Sequence, residues 1–164
     1  TIMSENDIIL KWVDFFNKKK ENSQIFKTSF IHPSYKGYNP MVETNENLEL
    51  IGDRVLDLTL YHYLYNKFTD SISKKQMDDL RQKLLSATGL EKIFDALNLE
   101  KSVEKPPNHK LTFNSKVKHN IVEALVGATY LEDGYEIAYN FITELLKKDL
   151  KTKITELEDY IIHK

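Results

Sequence analysis

The sequence contains no cysteine, which excludes disulfides, thiolate zinc sites and cysteine nucleophiles together. It also lacks any long apolar run. Stretches such as Ile8-Ile9-Leu10 are far too short for a membrane span or for the core of a signal peptide. Strand-period alternation of apolar and polar residues is missing, and no internal repeat is present. Nor is there an excess of charge of one sign. The 23 Lys and Arg residues against 25 Asp and Glu leave a net charge of -2, a mild argument against a dedicated nucleic-acid module, which usually carries a basic excess. These absences predict a soluble, intracellular protein with no membrane partner. What remains is 164 residues, 41% of them hydrophobic and 29% charged, enough for one domain with a real core.

Charge distribution matters more than its sum. Lysines cluster at Lys18-Lys19-Lys20, at Lys74-Lys75 and from Lys147 to Lys153. Solvated helix ends and loops explain such clusters; a surface that grips phosphates explains them too. Helical periodicity dominates the chain. Ile8, Leu10, Trp12, Val13, Phe15 and Phe16 build one broad apolar face over about 7–18. A short element over 23–31 runs into His32-Pro33-Ser34-Tyr35, where Pro33, Gly37 and Pro40 break the pattern. A long helix is predicted over 45–68. Ser73-Lys74-Lys75-Gln76 reads as a capping box that opens the next helix. Gly89 marks a break or cap before a stripe formed by Ile93, Phe94 and Leu97. Pro106-Pro107-Asn108 lies in a polar loop of about a dozen residues, long enough to suggest a functional segment. Helix resumes near Lys116, is interrupted at Glu132-Asp133-Gly134, and closes with a helix over 135–150 and a charged helical tail. The expectation is an all-α bundle.

Its carboxylates are oddly placed. Glu46, Glu49 and Asp53 fall at i, i+3 and i+7 of the long helix, hence on one face. Like charges at that spacing repel by a few tenths of a kcal/mol per pair. Glu49 and Asp53 also border apolar neighbours, and burying unpaired carboxylates costs several kcal/mol or forces protonation. An ordinary solvated face paired with Lys or Arg is one reading; a divalent cation that replaces the repulsion with coordination is the other. Gly52 favours the second, since a mid-helix glycine costs roughly 1 kcal/mol and suggests close approach by another helix. Downstream, Asn120 and Glu123 share a helix face beside the small residues Gly127 and Ala128, which suit tight packing, near Gly52 if the two helices cross there. Oxygen ligands gathered in this way favour Mg²⁺ or Mn²⁺ over zinc.

These segments carry a resemblance. Asn45 to Leu56 resembles the ribonuclease III signature N-E-x-L-E-F-L-G-D-x-V-L, and His32-Pro33-Ser34-Tyr35 is similar to the H-x-S-Y segment that precedes it. Leu80-Arg81-Gln82-Lys83-Leu84-Leu85-Ser86 resembles L-R-x-x-L-V-S. Asn120 to Gly134 resembles D-x-x-E-A-L-x-G-A-x-Y-L-D-x-G. Order and spacing agree for all four. The resemblance implies a helical, dimerising domain that cleaves double-stranded RNA by Mg²⁺-dependent hydrolysis, with Mn²⁺ as a substitute, leaving 5′-phosphates and short 3′ overhangs. It further implies that Glu49, Asp53, Asn120 and Glu123 hold metal and that Glu46 is an additional acid near the cleavage site. Leu50 occupies a position that packs across the homodimer interface, where the family often has Phe.

Two departures stand out. Asn120 replaces the Asp of the family pattern, which keeps a carbonyl oxygen but removes one negative charge and adds two N–H donors. A silencing substitution, an active variant and a non-catalytic RNA-binding relative, such as a ribonuclease III-like ribosomal protein, each account for it; retention of Glu49, Asp53 and Glu123 favours an enzymatic lineage. The second departure is length. The expected organisation is a catalytic domain over 1–150 and a tail or linker over 151–164, with no room for a double-stranded-RNA-binding domain, although Asp149-Leu150-Lys151-Thr152 resembles the D-P-K-T link that often precedes one.

Overall fold

The computed structural model describes residues 3–68, 71–107 and 110–162. Seven helices account for most of them: α1 (Glu5–Asn22), α2 (Gln24–Ser29), α3 (Glu46–Phe68), α4 (Lys74–Leu85), α5 (Ala87–Ala96), α6 (Ser115–Asp133) and α7 (Tyr135–Ile162). Short 3₁₀ turns cover Pro33–Gly37 and Leu99–Ser102. Among the described residues there is no strand, only an isolated parallel bridge between Ile31 and Glu104. No described helix is long and apolar enough to cross a membrane. Asn108, within the expected polar loop, lies outside the described residues, as do His163 and Lys164 at the end of the tail.

Helix α6 is the axis of the fold. Residues 121–129 are all buried, as expected for a helix surrounded by α2, α3, α5 and α7. The most extensive pairing is with α3, and glycine sets its closeness. A Cβ at Gly52 would overlap the carbonyl oxygen of Glu123, and one at Gly127 would overlap that of Leu48. Backbone thus meets backbone at the crossing, as the mid-helix glycines suggested. An aromatic cluster closes the opposite side of the core, with Phe16 and Phe141 at 4.8 Å between ring centroids and Trp12 donating its indole N–H to Glu144 at 2.7 Å.

Caps place most boundaries. The box predicted at Ser73 and Gln76 forms with both hydrogen bonds. A second box, Ser4 with Asp7, starts α1 two residues earlier than periodicity alone suggests. Gly89 does not mark the break assigned to it. The break is Ser86, whose hydroxyl accepts from the Gly89 N–H and caps α5. Gly89 lies inside that helix, where a Cβ would overlap the carbonyl oxygen of Leu84. Helix α7 continues past residue 150 without interruption, and Ile154 is buried.

Candidate metal centre and nucleic-acid cleft

The start of α3 is fixed by one buried side chain. Asn45 donates its backbone N–H to the Ile31 carbonyl and its amide to that of Ser29, and its own carbonyl accepts from the Glu49 N–H. The His32-Pro33-Ser34-Tyr35 segment forms the 3₁₀ turn beside it, capped where His32 Nδ1 accepts from the Ser34 N–H. That turn presents Lys36 to Glu46 at 3.1 Å. The glycine crossing then lays this end of α3 beside the N-terminal half of α6. Glu46, Glu49, Leu50 and Asp53 from α3 and Lys116, His119, Asn120 and Glu123 from α6 line one open cleft of about 570 Å³.

Every sequence-predicted acid reaches this cleft, in unequal environments. Glu123 is the deepest, with a side chain only 4% exposed. Burial pushes it up to about 7; the nearby His119 opposes this, and a hydrogen bond with Asp53 reinforces it. Burial also raises Glu49, against the pull of His119 and Lys116. Glu46 sits at the rim, where hydrogen bonds from Lys36 and Thr44 hold it below the usual carboxylate range. Asp53 faces both ways. It shares a hydrogen bond with Glu123, and it lies 3.6 Å from Arg54 and 3.9 Å from Arg81. Leu50 lines the cleft edge and is 59% exposed.

Sequence reasoning missed two further groups. Arg81, on α4, donates to Asp57 at 2.6 Å and leans toward Asp53, tying α3 to α4 beside the site. His119 stands 2.9 Å from Glu123 and 3.4 Å from Asn120, while its Nε2 lies 3.2 Å from the Leu85 carbonyl oxygen. Its i, i+4 spacing from Glu123 was the available signal. The hydrogen bond to Glu123 raises the His119 pKa despite burial.

The donor set suits a hard divalent cation: carboxylates of Glu49, Asp53 and Glu123, the amide oxygen of Asn120, and a buried acid that must keep a proton near neutrality unless another cation replaces it. In the present rotamers no three His, Asp or Glu groups among the described residues surround a single point. Asp53 is drawn toward Arg81, at 3.9 Å, and Glu123 toward His119, at 2.9 Å. The lysines at 18–20 are each paired: Lys18 with Asp14 on the exposed surface of α1, Lys19 with Glu132 and Asp133, and Lys20 with Glu104.

Comparison with known proteins shows the family and the fold. A family model described as Ribonuclease-III-like matches residues 22–150. Ribonuclease 3 of Carboxydothermus hydrogenoformans is 34% identical, over 93% of this chain and 66% of its own length. That of Clostridium perfringens is 30% identical, over 83% of this chain and 58% of its own length. The chain therefore spans less than two thirds of these curated relatives. The nuclease domain of ribonuclease III from Campylobacter jejuni, in which a region involved in dimer formation is flexible, superposes with a TM-score of 0.70 at 26% identity, covering 86% of this chain and 96% of that one.

Proposed function

This chain belongs to the ribonuclease-III-like family, and from that premise we propose that its cleft hydrolyses phosphodiester bonds of double-stranded RNA with bound Mg²⁺ or Mn²⁺. The observation that carries the reading is the glycine-mediated crossing, which brings Glu49 and Asp53 of α3 onto the same cleft as Asn120 and Glu123 of α6. Those four residues would hold the metal. The chemistry a divalent ion supplies in such a site is activation of water and neutralisation of charge on the leaving oxygen.

The protein's own groups do the rest. Glu49, Asp53 and Glu123 present anionic oxygens from two rigid helices, and Asn120 adds a neutral one. Lys116 and Arg54, both exposed beside the cleft, suit phosphates of an A-form duplex, which is recognised by shape, backbone and 2′-hydroxyls with little base readout. Lys36 holds Glu46 at the rim, so Glu46 acts beside the metal set and not within it. A two-fold homodimer, with Leu50 at its contact, would place one cleft against each RNA strand and leave 5′-phosphates with short 3′ overhangs.

Asn120 supplies the test. Asn120→Asp restores a fourth anionic ligand, and Mg²⁺-dependent cleavage of labelled double-stranded RNA is expected to rise roughly 10²–10³-fold. Adding Glu123→Gln to that variant removes the gain while RNA binding persists. Should Asn120→Asp bind RNA and still leave it intact, the protein is a non-catalytic RNA-binding relative. Cleavage at full rate by the parent would make Asn120 a competent ligand and remove the charge argument.

A further inference from the structure

We propose that the groove between α1, α5 and α7 is a second binding site, one for a free single-chain amphiphile with an anionic headgroup, a carboxylate or a phosphate monoester. The groove has a volume of about 570 Å³ and shares no lining residue with the acidic cleft, so the two sites are separate on the surface.

Helix packing leaves the space. Helix α1 packs on α2 and α7, and α5 packs on α4 and α6. Between those pairings a trough stays open, with α7 as part of its wall. Ile8 and Ile9 of α1, Gly89 and Ile93 of α5, and Leu145 and Leu146 of α7 line it. Ile8, Ile9 and Leu145 pack against the core yet are only partly buried. Small-molecule sites are concave, mostly apolar and roughly 300–1,000 Å³ in volume, and this trough has each property.

What the lining lacks selects the ligand. Among the described residues that form it there is no aromatic ring, hydroxyl, side-chain amide or imidazole. A nucleobase would find no ring to stack on, and a sugar no neutral side-chain partner for its hydroxyls. An alkyl chain needs neither, since removal of its apolar surface from water is enough to hold it.

The charges at the rim select the headgroup. Two of its carboxylates are already engaged: Glu144 accepts from Lys11 at 3.0 Å and from the Trp12 indole at 2.7 Å, and Asp149 pairs with Lys92 at 3.4 Å. Lys147, Lys148 and Lys151 also line the groove, all three exposed, and none makes an ion pair among the described residues. Residues three and four apart share one side of a helix, so Lys151 stands beside both of the others. Glu5 is the only rim acid left without a partner among the described residues. Free cations therefore outnumber free anions, and they stand beside an aliphatic trough.

The test uses the full chain without RNA, and sodium decanoate, decyl phosphate and 1-decanol as probes, each below its micellar concentration. Calorimetry should show saturable binding of at least one anion, and the preference between the two assigns the headgroup. Octanoate should bind more weakly than decanoate by about fourfold for each methylene removed. Lys147→Gln, Lys148→Gln and Lys151→Gln combined should weaken the anions about tenfold and leave decanol unchanged. Ala96→Trp, at an exposed position in the lining, should block all three probes. In the parent, amide shifts on adding decanoate should cluster at Gly89, Ile93, Ala96 and Leu145, a readout that stands even where a variant fails to fold. Anion binding that is unchanged in the folded variants, decanol as tight as decanoate, or shifts scattered over the surface overturns the proposal. So does the lack of saturable binding at millimolar concentration.

Discussion

Glu123 lies within an unbroken run of buried residues, 121–129, whose other members are aliphatic or small, save Thr129. Thr129 meets its burial by donating back to the Leu125 carbonyl at 2.7 Å; Glu123 meets it with the hydrogen bond to His119 at 2.9 Å and with a raised affinity for its proton. Burial holds its carboxyl at about 7 against an ordinary 4.5, and the hydrogen bond to Glu123 raises His119 as well. A group that binds its proton more tightly folded than unfolded favours folding at low pH. That stability is complete below about 4.5 and is lost as pH rises through 7. Without metal, melting temperature should therefore fall between about pH 5 and pH 8 more steeply in the parent than in Glu123→Gln, by an amount corresponding to at most about 3 kcal/mol. Saturating Mn²⁺ should flatten the difference, since ligand binding to the folded state restores stability. Identical pH profiles for parent and variant would show that Glu123 bears no burial cost. At this scale the acids were legible in the sequence because carboxylates beside apolar neighbours are conspicuous. His119 was not, because one of its partners, the Leu85 carbonyl, is brought to it only by the packing of the α4 end against α6.

The helix pair α3 and α6 depends on two residues without side chains. At Gly52 and Gly127 the obstructing atoms are backbone carbonyls of the opposite helix, which cannot rotate aside as a flexible side chain would. Gly127→Ala gains roughly 1 kcal/mol of helix propensity but must push α3 away from α6, and overpacking of this kind commonly costs about 1–3 kcal/mol or more. The expected net effect is a lower melting temperature together with weaker Mn²⁺ binding, because the ligands of α3 and α6 move apart. Gly37→Ala is the control: it is exposed, a Cβ there meets nothing within 4 Å, and it should leave both quantities unchanged. Unchanged Mn²⁺ affinity in a folded Gly127→Ala would detach the crossing from the site. Helix spans and the Ser73 box were readable from period and capping chemistry. Gly89 was misread because a mid-pattern glycine signals either a break or a close approach; here Ser86 makes the break and the Leu84 carbonyl makes the approach.

On the scale of the whole molecule, the core accounts for the buried side chains, while a second apolar set stays outside it. Leu50, Leu58 and Tyr65 run along the outer side of α3 at 59%, 57% and 62% exposure, and Tyr130 and Leu131 at the end of α6 add to the exposed apolar surface. Large exposed apolar side chains repeated along one helix usually mark an interface. The all-α class was legible from periodicity, since helices dominate the chain. The sequence marked this outer stripe only at Leu50, through the family resemblance, because whether a periodic leucine faces the core or the outside is decided by where the remaining helices pack. A self-complementary contact of this kind buries each leucine twice, once on each protomer, and burying one such side chain contributes about 1.5–3 kcal/mol. Leu50→Asp and Leu58→Asp should therefore abolish association in sedimentation or light scattering while leaving circular dichroism intact, since neither residue supports the core. Leu58→Asp is the more informative of the two, because Leu58, unlike Leu50, does not line the acidic cleft. In the Asn120→Asp background it should convert paired cuts across a duplex into single-strand nicks at a reduced rate, each site having lost the partner that addresses the opposite strand. A parent that is monomeric at about 100 µM, or a Leu58→Asp variant that still cuts both strands together, would mean that one cleft serves each RNA strand in turn.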